Sequence, residues 1–307
     1  MTTWLVTGGA GFIGSHLCEA LLARGDAVRV LDDLSNGKRE NLPPHATLIE
    51  ADVADPLAVR EALRGVAGCF HLAAIASVER GINDWLGTHR TNLTGAITVF
   101  EAARTTRIPV VYASSAAVYG NAATIPITET TACRPLSGYG ADKLGCELHA
   151  RVASHVHGIP AVGLRFFNVY GPRQDPRSPY SGVISIFCER IRRGAPIDIF
   201  GDGEQTRDFV YVADVVAALL AAMRDAPANA PVFNVCTGIA TSVLALARVI
   251  AALTGTHLEV QHRPPRAGEI RHSTGSDVLS RQTLALADPM GLRNGLARVL
   301  DWLDAAG

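Results

Sequence analysis

Tyr139 and Lys143 are the residues of this 307-residue chain whose types and spacing most directly suggest chemistry. Four positions apart on a helix, they share one face. The chain holds six tyrosines and only two lysines, Lys38 and Lys143, the other basic residues all being arginine. A Tyr-x-x-x-Lys spacing is then expected by accident only about 0.04 times. A compact ammonium and a planar guanidinium are not interchangeable, so a lysine here carries information. A phenol is a poor base near neutral pH, and adjacent positive charge favours its ionised form. The pair reads as a proton acceptor, Tyr139, with its electrostatic helper; a solvated surface pair is the weaker reading.

Ser114-Ser115 directly follow the apolar run Val110–Ala113. If that run is a parallel strand, the hydroxyls sit at the carboxyl edge of the sheet, where open α/β sheets bind ligands. Ser115 is placed to bond a substrate hydroxyl and pass its proton to Tyr139. The chain has no G-x-S-x-G elbow, which excludes a serine hydrolase built on that turn.

A second constellation opens the chain. Trp4–Thr7 run into Gly8-Gly9-Ala10-Gly11-Phe12-Ile13-Gly14, with Gly8, Gly11 and Gly14 at GxxGxxG spacing. Glycines there permit a tight turn and close backbone approach, and the helix that follows offers free N–H groups to a pyrophosphate. Asp32 ends the next strand, about 20 residues on, where its carboxylate would accept adenosine ribose hydroxyls and repel a 2′-phosphate. This argues for NAD over NADP, although Lys38 and Arg39 lie close by. Asp33 should face solvent. Asp52-Val53, ending the third strand, are placed to touch adenine; alternatively Asp52 caps the helix beginning at Asp55-Pro56.

The elements that must position these residues alternate. Strands are expected at Trp4–Thr7, Val28–Leu31, Thr47–Glu50, Cys69–Leu72, Val110–Ala113 and Val162–Phe166, with helices near 13–24, 56–64, 85–106 and 140–157. This rhythm predicts an α/β protein, a Rossmann-type doubly wound parallel sheet covered on both faces. Beyond Gly171-Pro172 the rhythm loosens. Helices are expected near 182–193, 211–224 and 242–253, and short strands near 197–200 and 232–235. The reading is an NAD-binding domain over 1–170 and a smaller α/β part, mainly for substrate, over 171–307.

With 48% apolar residues and a net charge of −1, the chain can bury a large core and presents no field favouring nucleic acid or a membrane surface. There is no run of about 18 apolar residues, and Thr2-Thr3-Trp4 lacks a basic leader, so neither secretion nor a membrane span is expected. Six cysteines, at 18, 69, 133, 146, 188 and 236, form no C-x-x-C. They read as reduced residues in a cytosolic protein, without disulfides or zinc.

Taken together, Thr7–Gly14, Leu31–Asn36, His71–Ala74, Asn92, Ser114–Gly120, Tyr139–Lys143, Leu164–Pro172, Thr206–Tyr211 and Arg266–Glu269 resemble the extended short-chain dehydrogenase/reductases, specifically nucleotide-sugar 4-epimerases. The similarity runs over nearly the whole chain. In that family, 4,6-dehydratases carry Asp-Glu just after the catalytic hydroxyl and decarboxylases a Glu. This chain has Ala116-Ala117 there, which supply no acid or base for elimination. The mechanism the resemblance implies is C4 oxidation: Tyr139, helped by Ser115, removes the 4-hydroxyl proton as hydride passes to NAD. The 4-keto sugar turns about its diphosphate link and is reduced on the other face. NAD is then a retained prosthetic group.

By position, the resemblance assigns the turn glycines, Phe12, Ile13, Asp32 and Asn36 to NAD. It adds Asp52, Val53, Leu72, Ala73, Asn92 and Phe167, together with Tyr139 and Lys143. Asn168, Val183, Phe200, Arg207 and Arg266 would hold the nucleotide diphosphate, the arginines as bidentate donors and Phe200 as an apolar wall for uracil.

Two departures from the family pattern stand out. Ala76 replaces a lysine that several galactose-type epimerases place near the nicotinamide ribose. Ser273 stands where such enzymes narrow the pocket with a tyrosine, so an acetamido group at C2 should be admitted. UDP-glucose/UDP-galactose and UDP-GlcNAc/UDP-GalNAc are the expected substrate pairs. A UDP-glucuronate 4-epimerase or a 4-reductase remains open from the sequence, and a non-catalytic NAD-sensing regulator is disfavoured by the intact Tyr/Lys pair. His16 reads as a packed core residue and His71 as a loop anchor; His262 and His272 suggest no metal. A homodimer is expected through the helices near 85–106 and 140–157, which carry Trp85, Leu93, Ile97, Val99, Phe100, Leu144 and Leu148 at helical spacing.

Overall fold

A computed structural model describes residues 1–76, 78–175, 182–224, 226–265 and 270–306. β1 (Thr3–Thr7), α1 (Phe12–Ala23), β2 (Ala27–Asp32), β3 (Thr47–Glu50), α2 (Pro56–Ala62) and β4 (Gly68–His71) build the first half of a sheet. α3 (Val78–Asn83) and α4 (Trp85–His89) lead through a π-turn, Arg90–Thr94, into α5 (Gly95–Ala103). β5 (Val110–Ser115), a 3₁₀ turn (Ala116–Tyr119), α6 (Gly138–His157) and β6 (Ala161–Phe166) follow.

The smaller part contains β7 (Asn168–Tyr170), α7 (Val183–Arg192), β8 (Ile197–Phe200), β9 (Thr206–Arg207), β10 (Phe209–Tyr211) and α8 (Val212–Arg224). Then come β11 (Val232–Val235), β12 (Thr241–Ser242), α9 (Val243–Thr254), β13 (Val260–Arg263), β14 (His272–Ser273), α10 (Val278–Leu284) and α11 (Leu292–Ala306).

Seven parallel strands form one sheet in the order β11-β6-β5-β4-β1-β2-β3. The direction of strand addition reverses between β1 and β4, which opens a crevice at their carboxyl ends. β4 and β6 are buried throughout, so their near-continuous apolar runs suit strands covered on both faces. Val59, Val99, Phe100, Cys146 and Ala150, from α2, α5 and α6, cover one face. Leu17, Leu21, Val215 and Leu219, from α1 and α8, cover the other. The sheet is therefore doubly wound, as the alternation predicts. Its last strand, β11, comes from beyond residue 170 and closes against β6.

A third core packs α7, α9 and α11 together through Phe187, Ile191, Leu246, Ile250, Leu296 and Val299. Short strand pairs carry the loops of this smaller part: β10 with β7, β13 with β8, and β12 and β14 on either side of β9.

One element differs from its expectation. The stretch 85–106 was expected as a single helix; it is α4, a π-turn and α5, ending at Ala103. The π-turn carries Asn92, fully buried, whose amide accepts from the Ile75 N–H at 2.7 Å and donates to the Ile75 carbonyl at 3.1 Å. Single π-turns inside α-helices are rare and are frequent at functional sites.

No described helix is long and apolar enough to cross a membrane. All six cysteines are free, and five are buried.

Candidate active site

The turn after β1 is built for contact with a ligand's backbone-hugging group. Gly8 has φ 71°, and a Cβ on it would lie 2.7 Å from the Ala73 nitrogen; one on Gly14 would lie 2.2 Å from the Gly8 carbonyl oxygen. These close approaches exclude a side chain at either position. Gly11 heads α1 without any side-chain cap, so the first N–H groups of the helix stay open toward the crevice.

Asp32, at the end of β2, steadies the same turn. Its carboxylate accepts from the Ala10 and Leu34 N–H groups, both at 2.9 Å. Burial pushes its carboxyl above the usual range, and these two bonds pull the other way. Each oxygen keeps a further lone pair for a hydroxyl donor.

The loop after β4 forms the opposite lip. The Leu72 and Ala73 N–H groups donate to the carbonyl and hydroxyl oxygens of Thr7, at 3.1 and 3.3 Å. Thr7 Oγ1 also meets His71 Nδ1 at 2.8 Å. His71 is buried, and that burial pushes its imidazole down to about 3, so it is neutral in the folded protein. It anchors the loop, in keeping with the sequence reading.

Between these lips runs a cleft of about 590 Å³. Gly8, Gly11, Phe12, Ile13, Gly14, Asp32, Asn36, Val53, Leu72, Ala73 and Phe167 all line it, and so do Ser115, Tyr139, Lys143 and Asn168. The two constellations read separately from the sequence thus meet in one cavity.

α6 delivers Tyr139 and Lys143. Ser137 caps it by accepting from the Gly140 N–H at 3.1 Å, which places Tyr139 in the first turn. Lys143 is 2% exposed; its Nζ donates to the Ala113 carbonyl at 2.8 Å and lies 5.9 Å from the centre of the Tyr139 ring. Ser115 closes β5 and caps the 3₁₀ turn, its Oγ accepting from the Ala117 N–H at 3.1 Å. Among the described residues nothing takes the Ser115 hydroxyl proton or bonds the Tyr139 hydroxyl, so both remain available to a ligand.

Other expected site residues lie elsewhere. Asn92 does not reach the cleft and instead holds the loop that lines it, through Ile75. Asp52 lies off the lining as well: it accepts from the Ala54 N–H at 2.8 Å and pairs with Arg90 at 2.9 Å. Asp55, not Asp52, caps α2. Val183 opens α7, and Phe200 ends β8 opposite Arg263 in β13. Arg207 in β9 sits in register with Ser273 in β14, away from the cleft lining. Arg266 and Glu269 fall outside the described residues, as do 176–181 of the loop 176–183.

His16 was expected in the core and is instead half-buried at a seam. It bonds the Pro172 carbonyl at 2.9 Å and receives the Arg173 guanidinium at 2.7 Å, which ties α1 to the segment after β7. That segment brings Arg173, Gln174 and Asp175 to the cleft, where Lys38 pairs with Asp175 at 2.8 Å. The sequence marked it only by Gly171-Pro172, a loop signal that says nothing about where the loop docks.

Sequence and structure comparisons find similar proteins over nearly the whole chain. The model of the NAD dependent epimerase/dehydratase family matches residues 4–236. A UDP-glucose 4-epimerase of Mycolicibacterium smegmatis is 37% identical over 310 residues, covering 97% of each chain. The UDP-glucose 4-epimerase of Thermotoga maritima, solved with UDP-glucose, superposes with a TM-score of 0.95 at 36% identity over 99% of each chain. A UDP-N-acetylglucosamine 4-epimerase from Methanobrevibacter ruminantium, in complex with UDP-N-acetylmuramic acid, gives 0.95 at 34% identity, covering 100% of this chain and 99% of the other.

The chain belongs to the NAD-dependent epimerase/dehydratase family.

NAD is the cofactor of this family member, and the residues present fit it. The uncapped α1 N-terminus and the glycine turn suit a pyrophosphate, and Asp32 suits a ribose diol. Among the described residues no cluster of His, Cys, Asp and Glu could hold a metal ion.

Proposed function

We propose that this epimerase inverts C4 of UDP-hexoses, taking both UDP-glucose/UDP-galactose and UDP-GlcNAc/UDP-GalNAc through a transient 4-keto sugar. One observation carries the reading. Ser115, Tyr139 and Lys143 converge on the cleft that begins at the Gly8–Gly14 turn, and the residues after Ser115 are two alanines. Proton transfer at a hydroxyl is provided for; a carboxyl group for elimination beside Ser115 is not.

Tyr139 takes the proton of the 4-hydroxyl, directly or through Ser115, whose own proton is free to pass on. Lys143, desolvated and fixed to the Ala113 carbonyl, supplies the positive charge that steadies the phenolate. Bound NAD supplies the hydride acceptor and donor at C4. On the return step Tyr139 gives the proton back, so neither redox state nor proton count changes over a cycle.

The nucleotide end of the substrate is assigned to the smaller part, through Asn168 at the cleft, Val183, Phe200, Arg207 and Arg266. Arg207 and Ser273 lie side by side on β9 and β14, which supports placing the pocket for the C2 substituent near the diphosphate clamp. Ser273 leaves room for an acetamido group in that reading. Incubating the purified protein with a panel of UDP-sugars and resolving the C4 epimers tests it. Conversion of none of them, or consumption of NADPH without epimerisation, overturns it.

A further inference from the structure

Behind the reacting groups lies a buried ion pair that the chemistry above does not use. Glu147 stands on α6 one helical turn beyond Lys143 and two beyond Tyr139. Arg165 stands on β6, in register with Ser114 of β5. The two side chains are each 7% exposed and meet bidentately: Arg165 Nε donates to Glu147 Oε1 at 2.8 Å and Nη2 to Oε2 at 2.7 Å. Desolvating such a pair costs as much as it returns, and apolar residues of similar volume often serve stability equally well. The pair therefore calls for a reason other than stability.

Its further partners supply one. Glu147 Oε1 accepts from Ser114 Oγ at 2.5 Å, and Ser114 immediately precedes Ser115. Arg165 Nη1 donates to the Tyr119 hydroxyl at 2.8 Å, and Tyr119 ends the 3₁₀ turn that Ser115 begins. The same nitrogen donates to the Glu129 carbonyl at 3.2 Å, in the segment that leads into α6. The Tyr119 hydroxyl in turn donates a hydrogen bond to Asn234 Oδ1 of β11 at 2.6 Å. One guanidinium–carboxylate unit thus grips the residue before Ser115, the turn after it and the helix that bears Tyr139 and Lys143.

We propose that Glu147 and Arg165, with Ser114, are positioning residues that set the spacing between Ser115 and Tyr139. Neither charge touches the reacting atoms; the unit acts by holding β5 and α6 in one register. Displacing reacting groups by about 1 Å can cost about a hundredfold in rate, so loosening this register shows in kcat and hardly in affinity.

Two variants test it. Ser114→Ala breaks the link from Glu147 to β5 and leaves the ion pair intact. Glu147→Met/Arg165→Met removes both charges together and so leaves none buried and unpaired. Both are expected to fold with melting temperatures near that of the parent and to retain NAD. Their kcat per folded molecule should fall roughly ten- to a hundredfold with KM little changed. Crystal structures of both should show Tyr139 displaced relative to Ser115. The kinetic arm rests on the proposed C4 chemistry; the crystallographic arm needs no substrate. If the parent converts no UDP-sugar, that reading fails and the displacement alone decides the positioning role. Parental kcat per folded molecule in either variant, or an unchanged Ser115–Tyr139 separation, overturns the proposal and leaves the network a purely structural one.

Discussion

Lys143 donates to the carbonyl oxygen of Ala113 at 2.8 Å, so the helix that carries Tyr139 is tied to the strand that carries Ser115 two residues before it. The lysine thus has a structural duty besides its charge. Tyr139→Phe should lower turnover by roughly 10²–10⁴ while leaving NAD and UDP binding nearly intact, because it removes the proton acceptor and little volume. Ser115→Ala should cost less. Lys143→Arg keeps the charge but brings a planar fork into a site that is 2% exposed, and activity should fall. Steady-state kinetics with cofactor-binding controls check all three; parental turnover in Tyr139→Phe would remove it from the role of base.

The uncapped start of α1, the glycine turn and Asp32 predict that the protein purifies with NAD and turns over without added cofactor. Absorbance and acid-released nucleotide measure this directly. Asp32→Ala should lose retention, since it removes both the ribose acceptor and the ties to Ala10 and Leu34. A protein that needs stoichiometric NADPH would contradict the assignment.

The outer face of α6 predicts a homodimer. Leu148, Val152 and Val156 follow one another at helical spacing, each more than half exposed, and Ile97 on α5 and Trp85 on α4 are exposed as well. Val99 and Phe100, expected on the same surface, are buried under the sheet instead. Light scattering should give twice the monomer mass at micromolar concentration, and Val152→Glu should halve it while the fold persists. A parent protein that stays monomeric rules the dimer out.

Ser273→Tyr should abolish conversion of the N-acetylated sugars and spare the plain ones, because a ring there blocks C2 substituents only. The parent should handle both pairs within roughly a hundredfold in kcat/KM, since pocket volume discriminates by about 1–3 kcal/mol. If it converts UDP-galactose and never UDP-GalNAc, Ser273 does not line the pocket.

Acid should destabilise the protein through its buried imidazoles. His71 is pushed down to about 3 by burial, whereas an unfolded imidazole titrates near 6.5. Between those values the unfolded chain binds the extra proton, so stability is full above about 6.5 and is lost as pH falls toward 3. His16, lowered mainly by burial, acts in the same direction. The melting temperature should therefore fall by at least a few degrees between pH 7 and 4.5, and less steeply in His71→Gln. Equal slopes for parent and variant would remove His71 from this account.

Much of this protein is determined by the chain locally. Glycines at 8 and 14 are needed wherever a β1–α1 turn folds this tightly, and β-branched runs between amphipathic stretches admit little besides a doubly wound sheet. Tyr139 and Lys143 stand out because both lie on one helix, where spacing equals geometry. Where partners are far apart in sequence, pattern is silent. Nothing local joins Arg165 to Glu147 and Tyr119, or turns Asn92 through a π-turn toward Ile75. Nor does it bring Arg173 back to His16 across more than 150 residues. The first of these contacts forms only when the sheet stacks β5 beside β6 and α6 across both, and the other two only when the loop after β4 meets the π-turn and the segment after β7 docks on α1. Residues with the right chemistry for a ligand were legible by type; Asp52 and Asn92 show that whether a polar side chain faces the cleft or braces its wall is settled by packing.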